Sequence, residues 1–83
     1  MGKKVNKWMR WDDIESSNIS GMAFLLTNTV EDLGILKVTF KKGQVYSYND
    51  VPKNLVLEVV KAESVGKAFN TLIKPHYPGI KYE

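Results

Sequence analysis

The run Leu36-Lys37-Val38-Thr39-Phe40, closed by Lys41-Lys42-Gly43 and followed by Val45-Tyr46-Ser47-Tyr48, constrains the fold more than any other part of the chain. Apolar and polar residues alternate with period two, the pattern of a half-buried strand. Gly43 supplies the positive φ that a tight hairpin turn needs. The centre of the chain is therefore expected to be an antiparallel hairpin. Two registers are open. A three-residue loop with Gly43 left-handed pairs Phe40 with Gln44, and sets Val38 opposite Tyr46 and Leu36 opposite Tyr48. A two-residue turn at Lys42-Gly43 pairs Phe40 with Val45 and sends both tyrosines to the other face, because a slip of one residue flips every side chain. The first register groups the apolar residues better and is the one expected.

Upstream, the chain reads as strand from Ile19. Ile19, Gly21, Ala23 and Leu25 fall on one face, and Ser20, Met22, Phe24 and Leu26 on the other. Both faces are partly apolar, which suits a strand covered on both sides. Residues 27–32 have turn character. Downstream, Asp50 is placed to cap a helix whose first turn holds Pro52. Pro52, Val56, Val59 and Val60 form its apolar stripe, with Leu55 beside them and Leu57 among the polar residues. Ser64 is a good cap for a second helix. Val65, Ala68, Phe69, Leu72 and Ile73 follow helical spacing until Pro75 stops it. Strands followed by helices predict an α+β domain: a three-stranded antiparallel β-meander followed by a two-helix hairpin packed on one face.

Eighty-three residues leave room for one core only. With no cysteine, disulfides, thiolate zinc sites and a cysteine nucleophile are excluded. The single histidine, His76, sits in a Pro-flanked tail and reads as a surface or tail-packing residue. Asp12, Asp13 and Glu15 read as a solvated patch or as partners of nearby bases rather than as a cation site. No metal, cofactor or catalytic residue is expected. No apolar run approaches the roughly 20 residues of a membrane span, and no signal-peptide core follows the basic start. No membrane association is expected, and the location expected is cytoplasmic.

The net charge of +3 is modest, but Lys3, Lys4, Lys7 and Arg10 crowd the first eleven residues without an acid. A basic end is more often a solvated tail, yet it can meet phosphate. Trp8 and Trp11 are interleaved with these bases, and part of residues 5–14 is expected to dock on the core. Tyr46 and Tyr48 share one face of a strand. On an open sheet they would stack bases, with Lys37, Lys41, Lys42 and Lys53 on phosphates. In the favoured register they pack in the core instead. Ser64, Gly66 and Lys67 offer a helix N-terminus, a small residue and a charge, an anion seat if they are not simply a cap and a close helix contact. The segment lacks the spacing of a nucleotide P-loop.

Several pieces, in order, carry a family resemblance: Ser16-Ser17-Asn18-Ile19, Leu36-Lys37-Val38-Thr39-Phe40, Lys42-Gly43, Tyr46-Ser47-Tyr48, Val51-Pro52, Ala62-Glu63-Ser64-Val65-Gly66-Lys67, and Phe69-Asn70 with Ile73. Together they resemble the KTSC domain, taken as a small domain of the lysyl-tRNA synthetase C-terminal type that also occurs alone in bacterial and phage-type proteins. The resemblance divides the chain into a basic, aromatic arm (1–15), a KTSC-like domain (16–77) and a tail (78–83). Residues 26–35 look longer than the family's usual link between its first two strands. The resemblance implies a module, for which RNA binding has been suggested.

The function expected is a small noncatalytic module that binds nucleic acid, RNA first, through Lys3, Lys4, Lys7, Arg10, Lys37, Lys41, Lys42, Tyr46 and Tyr48. The alternative is a phage- or bacterium-encoded protein-interaction module that meets its partner through Trp8, Trp11 and Leu57. Salt separates the two, since nucleic-acid affinity falls steeply with salt and an interface built on tryptophan and leucine does not.

Overall fold

The computed structural model describes residues 8–12 and 14–81. It is an α+β fold. The described strands are β1 (Met9–Trp11), β2 (Ile19–Asn28), β3 (Leu33–Phe40), β4 (Val45–Pro52) and β5 (Ile80–Lys81). They form one antiparallel sheet in the order β1-β2-β3-β4-β5. Helix α1 (Lys53–Val60), a short α2 (Val65–Ala68) and a π-helical turn (Phe69–Ile73) contribute buried residues to the core on one face. The expected three-stranded meander is thus the centre of a wider sheet. Its outer strands are drawn from the arm and the tail.

The hairpin adopts the three-residue loop. Val38 pairs with Tyr46 and Leu36 with Tyr48. Gly43 has φ 97°, and its N–H donates to the Phe40 carbonyl at 2.8 Å. Val38, Leu36 and Tyr48 therefore share the buried face.

The face assignment in β2 is corrected at its first residue. Ile19 pairs with Phe40 but Gly21 pairs with Thr39, so Ser20 is an extra, bulged residue. The bulge puts Ile19, 1% exposed, on the core face with Met22 and Phe24. The Ser20 hydroxyl donates to the Thr39 carbonyl at 3.3 Å across the irregularity. A second bulge at Thr27 has the same device, its hydroxyl donating to the Leu33 carbonyl at 3.5 Å. The apparently long link over residues 26–35 is mostly strand. Only residues 29–32 turn, with the Asn28 side chain accepting from the Val30 and Glu31 N–H groups.

Asp50 does not cap α1. It has φ 56° within β4, where Asn49 and Asp50 oppose Ile35 and a third bulge re-aims Val51 into the core. Pro52 is the N-cap and makes no side-chain cap bond. The Lys53 N–H, which begins α1, donates instead to the Asp32 carbonyl at 2.9 Å. Ser64 does cap α2, accepting from the Lys67 N–H at 3.3 Å. The second helix changes type where α spacing was expected to continue. Over Phe69–Ile73 it is a π turn, closed by the Lys74 N–H on the Phe69 carbonyl at 3.0 Å. Phe69 and Ile73 remain buried. Among the described residues no helix is long and apolar enough to cross a membrane.

Candidate functional site

Four rings meet where the β3–β4 hairpin approaches the π turn. Tyr46 stands on the core side of β4 beside Val38 and is half-buried. Its ring meets Phe40 edge-to-face with centroids 5.9 Å apart. Phe40 meets Phe69 at 5.9 Å, and Tyr48 meets Phe69 at 5.5 Å, both again edge-to-face. Such T-shaped contacts are the favoured geometry of aromatic rings. Burial, with the neighbouring Tyr46 as a smaller cause, raises the Tyr48 hydroxyl above the usual tyrosine pKa.

These rings floor a cleft of about 650 Å³, within the size range of small-ligand sites. Its rim carries Lys41, Lys42 and Lys74, with the amides of Asn18, Gln44 and Asn70; no carboxylate is among the described lining residues. One wall is held by local hydrogen bonds. The Ser16 hydroxyl accepts from the N–H groups of Asn18 and Ile19, each at 3.2 Å. The Asn18 carbonyl then accepts from the Lys41 N–H at 2.7 Å, tying this turn to the hairpin. The other wall is the segment leading into β5. A Cβ on Gly79 would come within 2.8 Å of the Tyr48 ring, so only glycine lets this segment cross so closely.

The expected nucleic-acid residues divide. Lys41, Lys42 and Tyr46 line the cleft. Tyr48 also borders it, but at 4% exposure it is a core residue rather than an open stacking platform. Arg10 pairs across β1–β2 with Ala23, and Ala23 with Lys37, on the opposite face of the sheet. There the Lys37 ammonium lies 4.6 Å from the centre of the Trp8 ring, and Arg10 sits 3.8 Å from Asp12. Lys53 follows β4 at the far end of the sheet from the hairpin. Lys3, Lys4, Lys7 and Asp13 lie outside the described residues.

The anion and partner candidates do not assemble either. Ser64 is occupied in capping, and a Cβ at Gly66 would meet the Ser16 hydroxyl at 2.9 Å. Gly66 is thus small where the chain entering β2 packs on α2. Lys67 is exposed. Trp11 packs on the core, as the docking of the arm requires, whereas Trp8 is on the other face and 38% exposed. Leu57 is half-buried on α1, in the layer away from Trp8. His76 is exposed.

Sequence reasoning missed Lys74 and Gln44 as site residues, and read Asn18 and Asn70 only as parts of a motif. Asn70 and Lys74 each directly follow a buried stripe residue, Phe69 and Ile73, so both border the apolar stripe. That was a usable signal. Gly79 gave none, because its role depends on where tertiary packing brings the tail.

Three comparisons bear on this arrangement. The KTSC domain model matches residues 15–77. Over 44 residues the chain is 43% identical to an uncharacterized protein of Stutzerimonas stutzeri (strain A1501), covering 52% of this chain and 62% of that one. The matched stretch thus spans less than two thirds of that relative. The crystal structure of a KTSC domain protein from Yersinia pestis superposes with a TM-score of 0.74 at 24% identity, covering 93% of this chain and all of the other. At that identity the likeness is one of fold. The matches support the KTSC domain, and the lysyl-tRNA synthetase C-terminal type expected with it is corrected to the KTSC domain alone. With the family model covering most of its length, the chain belongs to the KTSC domain family.

Proposed function

We propose that this chain is a small noncatalytic module that binds nucleic acid, RNA first, through lysine charge and aromatic stacking. One observation carries the reading: the cleft combines half-buried aromatic rings with three lysines and, among the described lining residues, no carboxylate. Lysines recruit the phosphate backbone, and ring faces stack bases without regard to sequence.

The test is a titration of labelled single-stranded RNA, followed by anisotropy from 50 to 200 mM salt. Three phosphate contacts give a log–log salt slope of about −2. Absence of binding at low salt, or affinity indifferent to salt, overturns the proposal. The second reading is a protein-interaction surface on the opposite sheet face. That reading is supported by the exposure of Trp8 and Ile80 there.

A further inference from the structure

We infer that the cleft takes a single unpaired nucleotide of a strand, with its base against Tyr46 and Phe40 and its phosphates on Lys41, Lys42 and Lys74. This rests on the nucleic-acid reading and narrows it from a surface to a pocket. A volume of about 650 Å³ suits one small ligand, not a length of duplex. The cleft is walled by the Ser17-Asn18 turn on one side and the Gly79 segment on the other. A base within a duplex has both faces stacked and cannot reach a floor set between such walls, whereas an unpaired base can be splayed into it.

The rings are suited to this. Phe40 and Tyr46 meet edge-to-face at an interplanar angle of 82°, and both line the cleft. Both are half-buried, unlike Tyr48 and Phe69 beneath them. The polar groups are of two kinds, and each matches one part of a nucleotide. Lysines answer phosphate. The side-chain amides of Asn18, Gln44 and Asn70 each present a donor and an acceptor, which is what a base edge presents in return. A simple anion would leave the rings unused, and an apolar ligand would leave the lysines unused.

The experiment follows the Tyr46 and Phe40 ring signals of the wild-type protein by NMR. The probes are adenosine 5′-monophosphate, ribose 5-phosphate, a single-stranded RNA hexamer and a blunt RNA duplex of six base pairs. The nucleotide and the hexamer should move both rings. Ribose 5-phosphate should leave them in place, and the duplex should bind at least about tenfold more weakly than the strand. Tyr46→Ile keeps an apolar side chain suited to a strand and removes the ring. It should lower hexamer affinity by about 5- to 150-fold, the worth of one stacked base, with a cooperative melt retained. If that variant fails to fold, the wild-type ring shifts decide alone. Duplex binding as tight as strand binding, or hexamer binding without ring shifts, overturns the pocket and leaves the broader reading standing. If no RNA binds at all, both fall.

Discussion

Tyr48 lies under Gly79 with its ring edge-to-face to Phe69, and its hydroxyl holds its proton more tightly than a free tyrosine does. The sign of the pH effect follows. Below the ordinary value of 10.0 the hydroxyl is protonated in both folded and unfolded chains, and the contribution is fully present. Above it the unfolded chain releases the proton while the folded chain keeps it, so stability falls as pH rises. Melting temperatures from pH 9 upward should therefore fall faster in the wild type than in Tyr48→Phe, which has no proton to lose. Parallel curves would show that the hydroxyl is not desolvated in the fold. Phe69, buried between Phe40 and Tyr48, is the residue whose truncation should cost most. Phe69→Ala should lose about 3–5 kcal/mol through cavity formation, read from the denaturant midpoint. Asp50 poses a backbone question instead. At φ 56° a β-branched side chain is strained, so Asp50→Val should cost about 1–3 kcal/mol. Asp50→Gly should be tolerated, and equal losses in the two variants would remove backbone strain as the cause.

Strand β1 shows how three residues attach an element to a core. Met9 pairs with Phe24 and Trp11 with Met22, so both side chains point to the helix side, while Arg10 points away. Trp11 packs on the core and Trp8 lies on the open face under Lys37. The two tryptophans should therefore differ on replacement. Trp11→Ala should cost about 1–2 kcal/mol for its half-buried ring, whereas Trp8→Ala should cost no more than the roughly 0.5–1 kcal/mol of an exposed cation–π contact. Urea denaturation of the two variants checks this, and a costlier Trp8 would invert the strand. That the arm docks was legible from two tryptophans among lysines; that it docks as a strand was not. The hairpin register was legible because a glycine turn and an alternating pattern agreed. Elsewhere the reading failed at bulges. Ser20 shifts the alternation of β2 by one and carries Ile19 to the core, and where the strand was expected to end at Tyr48 the Asn49-Asp50 bulge continues β4 and carries Val51 to the core. A bulge has no periodicity of its own, so the pattern on either side of it must be read separately. The π turn escaped for a similar reason, since Phe69 and Ile73 satisfy α spacing and π spacing alike.

At the scale of the whole molecule, the positive charges among the described residues are spread over two faces and both ends of the sheet, and only some can act together. The net charge of +3 is too small for a general field to hold a nucleic acid. If RNA is bound, position must matter more than total charge. Two triple variants isolate position, because each brings the net charge from +3 to zero. Replacing Lys41, Lys42 and Lys74 with Gln strips the cleft rim. Replacing Arg10, Lys37 and Lys53 with Gln removes the same charge from the opposite sheet face and the far end. The rim variant should lose about 2 from the magnitude of the log–log salt slope for single-stranded RNA, at roughly 0.7 per contact, and should weaken binding uniformly across sequences. The second variant should keep its slope, since a charge more than about 10 Å from the strand is largely screened at 0.1 M salt. All six residues are lysine or arginine on the surface or at its margin, so both variants should remain folded, which circular dichroism confirms before binding is measured. Equal losses in the two would mean that RNA senses net charge and not the cleft. A loss confined to the second variant would move the binding surface to the open face, where Trp8 and Lys37 already stack.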